Sequence, residues 1–433
     1  MGTMRTRIDR REFLGSLGIL LGGTAAGLPL GGCSGPDPER YTEADAERLA
    51  AQRRREREAS GRGPYGMQRY RGYRGLAELP WFELDREGVL RMVDESVPRA
   101  IDMHAHLGIS VLFEPDLDLL ARTDRVRHLL DCDATDPGCE LDLDVYINGN
   151  FTEDDLSTLR RQTLAQGLWG SAYAETHTIP NLLAEMDATG VERSMILPIF
   201  FDLPFGDDLS GKWRDAIVAA KAGDRLMIGA SVHPRDDRKV ERLEAFAREG
   251  RRVVKVHPTV QAFYPDERDA MEVYEAAERL GMIIFFHGGR AGIEPESRQP
   301  YALPRHYEAA LATFPRLPFV LGHAGARDGE AMLDLGVRYD NAWFGIHGQG
   351  VTRLDAMIRR TGGERMLYGT DWPWYHLAAT LAKVLIVTED AGRRDARHAI
   401  LRGNAERLLS SAPAPPDAPS DPLPAPPDPS TPS

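Results

Sequence analysis

Two histidines one residue apart, His104 and His106, follow the short run Ala100-Ile101-Asp102-Met103. Side chains alternate along a strand, so an extended chain points both imidazoles the same way. Three further apolar runs end in similar chemistry: Ile284-Phe285-Phe286-His287, Leu321-Gly322-His323-Ala324-Gly325 and Tyr368-Gly369-Thr370-Asp371-Trp372-Pro373. Three imidazoles and one carboxylate suit a borderline-soft divalent ion such as zinc, with an open position left for water. Each motif alone carries little. A lone strand-end His is usually a hydrogen-bonded structural residue, and an Asp between Gly-Thr and Trp-Pro is usually a turn former. Their recurrence at the ends of several runs in one alternating pattern points to a metal site.

Something must bring these distant residues together. β-Branched or aromatic runs at 100–103, 193–198, 226–232, 253–256, 282–286, 319–322, 337–344 and 365–369 alternate with helical stretches such as 239–249, 267–280 and 305–314. Eight strands alternating with helices predict a parallel sheet with right-handed crossovers, and eight is the number that closes a ring. The expected fold class is α/β: a (β/α)8 TIM barrel over residues 96–410, with an insertion after strand 1, at 108–178, sitting over the mouth as a cap. A doubly wound open sheet is the alternative. In a barrel the strand ends converge on the C-terminal face, where active sites of this fold lie.

The flanks read differently. Arg10-Arg11-Glu12-Phe13-Leu14 opens a charge-free run that ends Leu30-Gly31-Gly32-Cys33. Residues 1–33 therefore read as a twin-arginine-type lipoprotein signal, with Cys33 the lipidated residue and an uncleaved anchor as the alternative. Either reading exports the rest of the chain, to face the periplasm or the cell exterior, and makes the membrane a partner through the N-terminal anchor. Residues 34–95 have weak apolar content and predict a tether with one charged helix around 46–57. Residues 411–433, rich in Pro, Ala, Asp and Ser, predict a disordered or polyproline-like tail. Cys132 and Cys139 flank a short turn, and an oxidising compartment allows them to pair as a disulfide. The acidic residues around them fail the EF-hand spacing and read as a solvated loop. A formal net charge of −13 and the lack of a basic recognition helix argue against nucleic acid as a partner.

The chain from about Asp102 to Leu409 resembles the amidohydrolase-related family of the amidohydrolase superfamily, the branch that includes aminocarboxymuconate-semialdehyde decarboxylase. The carrying residues are Asp102-Met103-His104-Ala105-His106, Val254-Lys255-Val256-His257-Pro258, Ile284-Phe285-Phe286-His287, Leu321-Gly322-His323-Ala324-Gly325, Tyr368-Gly369-Thr370-Asp371-Trp372-Pro373 and the closing Gly403-Asn404-Ala405-Glu406-Arg407-Leu408-Leu409. The resemblance implies His104, His106 and His287 as metal ligands, with Asp371 as the fourth ligand or a close neighbour of the water. His323 becomes the acid/base group beside it. The Lys-x-His-Pro pattern at Lys255 looks like the mononuclear branch, so one divalent ion is expected.

His257 and His233 line the pocket or merely finish strands. Arg290 meets a substrate carboxylate or forms a salt bridge. Trp372, Trp374 and Phe344 wall an apolar pocket or join the core. Barrels of this family often pair as homodimers. Two reactions on a small-molecule substrate share such a site. The first is hydrolysis of an amide, ester or lactone by activated water, favoured by the export signal; the second is non-oxidative decarboxylation of a carboxylic acid. A non-catalytic surface lipoprotein is the reading from another class.

Overall fold

The computed structural model describes residues 40–109, 117–132, 139–168, 171–201 and 209–411. The signal with Cys33 and the tail from 412 onward lie outside them. Eight parallel staves follow the expected order: β1 (Ala100–Ala105), β2 (Val191–Ile196), β3 (Leu226–Ile228, resumed at Ala230–Ser231), β4 (Val253–Val256), β5 (Ile283–Phe286), β6 (Phe319–Leu321), β7 (Ala342–Gly345) and β8 (Met366–Leu367). The first half of β3 pairs with β2 and its second half with β4, so the stave changes partner at Gly229. The ring closes between β1 and the end of β8, where Met103 N donates to Tyr368 O (2.9 Å), Asp371 N to His104 O (2.7 Å) and His106 N to Trp372 O (2.6 Å). It is a barrel, not an open sheet.

The staves are apolar on both faces, as strands covered by helices must be. Period two sorts them. Ile101, Met103, Val253, Ile283, Phe285, Val320 and Leu367 share the inner cluster. Val254, Val256, Ile284, Phe286 and Leu321 pack outward against residues of the helices, Val273, Tyr274 and Ala277 among them. Lys255 lies between two outward valines, so β4 turns its amine inward.

Two expectations are corrected. The segment expected as a tether is docked on the barrel from Arg40 on. Its helix α1 (Glu43–Ala59) starts with a Thr42/Asp45 capping box, and Arg305–Asp45 (3.0 Å) and Arg327–Glu56 (3.2 Å) pair it with the body. Trp81, Phe82 and Leu90, around a small hairpin, reach the main core. Low apolar content suggested a tether, but ion pairs and a few aromatics suffice to dock it. The seventh stave starts at Ala342 rather than Val337, because Gly329–Gly336 is helical and Asn341 Nδ2 ties the intervening turn to the carbonyls of Leu311 and Phe314. The insertion is also partly ordered as a strand: Glu140–Asp142 pairs antiparallel with Arg69–Arg71. The helix Glu153–Leu168 follows, and Cys132 and Cys139 are joined by a disulfide.

Candidate metal centre

At the mouth of the ring the ends of β1 and β8 bring three donor atoms together. His104 Nε2 and His106 Nε2 lie 3.0 Å apart, and Asp371 Oδ1 is 3.5 Å from the first and 3.3 Å from the second. A tetrahedral ion with bonds of about 2.1 Å separates its ligand atoms by about 3.4 Å, so the spacing fits one. His106 Nδ1 is 2.7 Å from Leu197 O. A carbonyl only accepts, so Nδ1 carries the proton and Nε2 presents its lone pair inward, the usual support of a metal-binding histidine. His104 Nδ1 is buried without a partner among the described residues. The donor set fits a divalent cation.

Electrostatics agree. Burial, together with Lys255 and the neighbouring histidines, holds His104 well below the ordinary imidazole range; burial and nearby charges do the same for His257, His287, His323 and His347. Neutral rings are the form that binds a metal. Lys255 Nζ lies 3.2 Å from His104 Nε2, and burial lowers its pKa to about 7 against the pull of the Asp371 carboxylate.

Asp102 positions the cluster from below. Its carboxylate accepts from His104 N (3.0 Å), Thr370 N (3.0 Å), Thr370 Oγ1 (2.7 Å) and Ser194 Oγ (3.2 Å), tying β1 to β2 and β8. Burial raises its pKa to about 7 in spite of those four donors. Two residues of the site sit in the left-handed region: His323 at φ 52° and Asp371 at φ 60°. Such backbone costs energy in a non-glycine residue and persists only where neighbours impose it. At His323 the neighbours are His347, whose Nε2 accepts from His323 N (3.2 Å), and Gln349, which donates to His323 O. Gly369 must be small, because a Cβ there would lie 3.0 Å from His347 Nδ1 and 3.2 Å from His104 Cβ.

The cluster opens into a cavity of about 230 Å3 whose apolar wall includes Ile109, Leu156, Leu159, Ile199, Phe201, Ile293 and Trp374. His257, His287 and His323 line it too. His287 stacks on His257 (4.0 Å between ring centres, 10° between planes) and meets His323 edge-on at 4.3 Å. It therefore faces the same cavity but stands outside the tight His104/His106/Asp371 group. His323 Nε2 lies 3.9 Å from Asp371 Oδ2.

Four expected pocket residues are elsewhere. Arg290 is buried in a bidentate pair with Asp328 (2.6 and 2.8 Å) and donates to Asp45 O (2.6 Å), so its charge is spent clamping α1. Trp372 is fully buried with its indole N–H on Glu185 (3.2 Å), and Phe344 lies in the core. His233 Nε2 donates to Gln261 O (3.0 Å), beyond β4, and its Nδ1 accepts from Arg235 N (3.1 Å) in its own turn. Sequence reasoning missed four contributors. Tyr146 reaches in from the insertion, and Glu294 and Arg298 from the loop after β5. His347, two residues beyond β7, was legible by the same strand-end pattern as the others.

Residues 211–410 match the family model described as Amidohydrolase. No curated protein matches the chain. Among solved structures it is similar to an uncharacterised TIM-barrel protein from Bordetella bronchiseptica (23% identity, 58% of this chain and 89% of that one, TM-score 0.47). It is also similar to 5-carboxyvanillate decarboxylase from Sphingomonas paucimobilis (18%, 72% and 99%, TM-score 0.47). A third is a zinc-bound amidohydrolase from Burkholderia multivorans (16%, 56% and 92%, TM-score 0.42). That match falls on the staves that carry His287, His323 and Asp371, so residues 211–410 are similar to the amidohydrolase family.

Proposed function

We propose that the protein is a metal-dependent hydrolase that cleaves an amide, ester or lactone in a small molecule with an apolar body. The observation that carries this reading is the convergence of His104, His106 and Asp371 at ion-binding distances, with His323 beside them. These three residues would hold one divalent ion, with zinc the best match to the donors, and His287 faces the same cavity from outside the group. A bound ion of this kind acidifies a water and polarises a carbonyl. Asp371 is placed to take a proton from an attacking water and to return it to the departing group, with His323 beside it. The apolar wall excludes bulk water and strengthens each of these interactions.

Arg298 takes the substrate role first sought in Arg290. It lines the cavity, burial lowers its pKa, and its guanidinium has no side-chain partner among the described residues. A free cation on an apolar wall favours a substrate with an anionic group remote from the reacting bond. Export through the 1–33 signal and anchoring at Cys33 belong to the same proposal, and the Cys132–Cys139 disulfide supports an oxidising compartment.

A second reading is decarboxylation. It is favoured by the apolar lining, since a carboxylate loses solvation there while its charge disperses along the reaction. A panel of lactones, esters, amides and aromatic acids, with products identified by mass spectrometry, tests the proposal. Addition of water to a panel member is expected; release of carbon dioxide without water uptake overturns hydrolysis in favour of the second reading.

A further inference from the structure

Tyr146 comes from the insertion, not from a stave, yet its hydroxyl lies 3.0 Å from His323 Nδ1. Its ring is held from outside the barrel. The Glu56 carboxylate of α1 accepts from its backbone N–H, and Glu56 also pairs with Arg327 (3.2 Å), whose guanidinium stands over the Tyr146 ring at 5.5 Å. A Cβ on Gly348 would lie 2.6 Å from the ring, so the far side is closed as well. The side chain is fixed by three separate segments.

We infer that Tyr146 is a positioning residue that locks His323 in the Nε2–H tautomer, making it a neutral hydrogen-bond donor to negative charge developing on the substrate, while Asp371 alone accepts the proton. The inference rests on the reading of His323 as a working residue of this site. Among the described residues the phenol has one hydrogen-bond partner, His323 Nδ1. Burial and the Asp371 charge hold Tyr146 far above the ordinary phenol range, so it keeps its proton. That proton must point at an acceptor. If Nδ1 were protonated, two hydrogens would face each other across 3.0 Å, or the hydroxyl would turn from its one acceptor at a cost of about 1–3 kcal/mol.

The proton of the neutral ring therefore sits on Nε2, the nitrogen facing Asp371 Oδ2 at 3.9 Å. A neutral imidazole of this form has no lone pair on the pocket side and cannot act there as a base. It polarises an oxygen instead, and proton transfer falls to the carboxylate.

The test is imidazole nitrogen NMR on the zinc-loaded enzyme labelled with 15N-histidine, with His323→Gln identifying the resonances. The wild type is expected to give a protonated-type shift at Nε2 and an unprotonated-type shift at Nδ1. Tyr146→Phe, which keeps the ring, is expected to mix the two tautomers, with melting temperature and zinc content unchanged. A protonated Nδ1 in the wild type, or a His323 spectrum unaltered in Tyr146→Phe, overturns the inference. The spectra need no substrate, so they stand or fall separately from the hydrolysis reading. Once a panel substrate is known, Tyr146→Phe should lower kcat about 10- to 100-fold, the usual effect of losing a residue that orients a working histidine, with KM little changed. A fall confined to KM contradicts the assignment.

Discussion

Arg290 and Arg298 lie eight residues apart on one loop and differ only in where their charges end up. Arg290 has Asp328, so replacing it with alanine leaves a carboxylate uncompensated and should cost about 3–5 kcal/mol in urea unfolding, with KM unaffected in the surviving folded fraction. Arg298→Met should do the reverse: unfolding unchanged, and KM for an anionic substrate raised roughly 10- to 150-fold, the value of one charge-assisted bond of about 1.5–3 kcal/mol. Equal KM for charged and neutral substrates in the wild type would remove Arg298 from recognition. The sequence could not separate these two residues, because Asp328 and Asp45 come from distant parts of the chain. His104, His106, His323 and Asp371 were legible because strand alternation and strand-end position follow from local spacing alone. His347 obeyed the same rule and was overlooked, since its stave was drawn from Val337 and its histidine lies beyond the apolar run.

At the level of elements, the eight staves were readable from apolar runs that need helices on one side and a filled ring on the other. Their ends were less so: β7 begins five residues late because Asn341 anchors a turn instead of a strand. The helix α1 was visible in its charged run, but its docking was not, since opposite charges on Glu56 and Arg327 attract only once the barrel is built. Glu56 links α1 to both Tyr146 and Arg327, so Glu56→Gln should disturb the site without touching the cavity. The expected outcome is a His323 NMR spectrum shifted in the same sense as in Tyr146→Phe but by less, with zinc still bound; an unchanged spectrum would mean that α1 merely covers the barrel.

For the molecule as a whole, acid is the predicted weakness. His177 is fully buried with Nε2 2.7 Å from Arg127 O, and burial holds its pKa down to about 3 against that bond. Its folded pKa lies below the ordinary 6.5, so the unfolded chain binds the proton first; the stability is complete above pH 6.5 and is lost as pH falls from there towards 3. Urea midpoints measured between pH 7 and 4 should fall steadily, and His177→Gln should flatten the fall. Export is testable at the same scale: Cys33→Ala should move the protein from the membrane fraction to the soluble one, and an unchanged distribution would favour the uncleaved anchor.

The account depends most on residues from the two ends of the barrel sequence holding one ion. Zinc content and zinc-edge X-ray absorption of the purified chain measure this directly. The prediction is one ion per chain with a mixed imidazole and carboxylate shell, and loss of stoichiometric zinc in both His104→Ala and Asp371→Ala. A wild type without bound metal, or His104→Ala and Asp371→Ala proteins that keep it in full, would contradict the account.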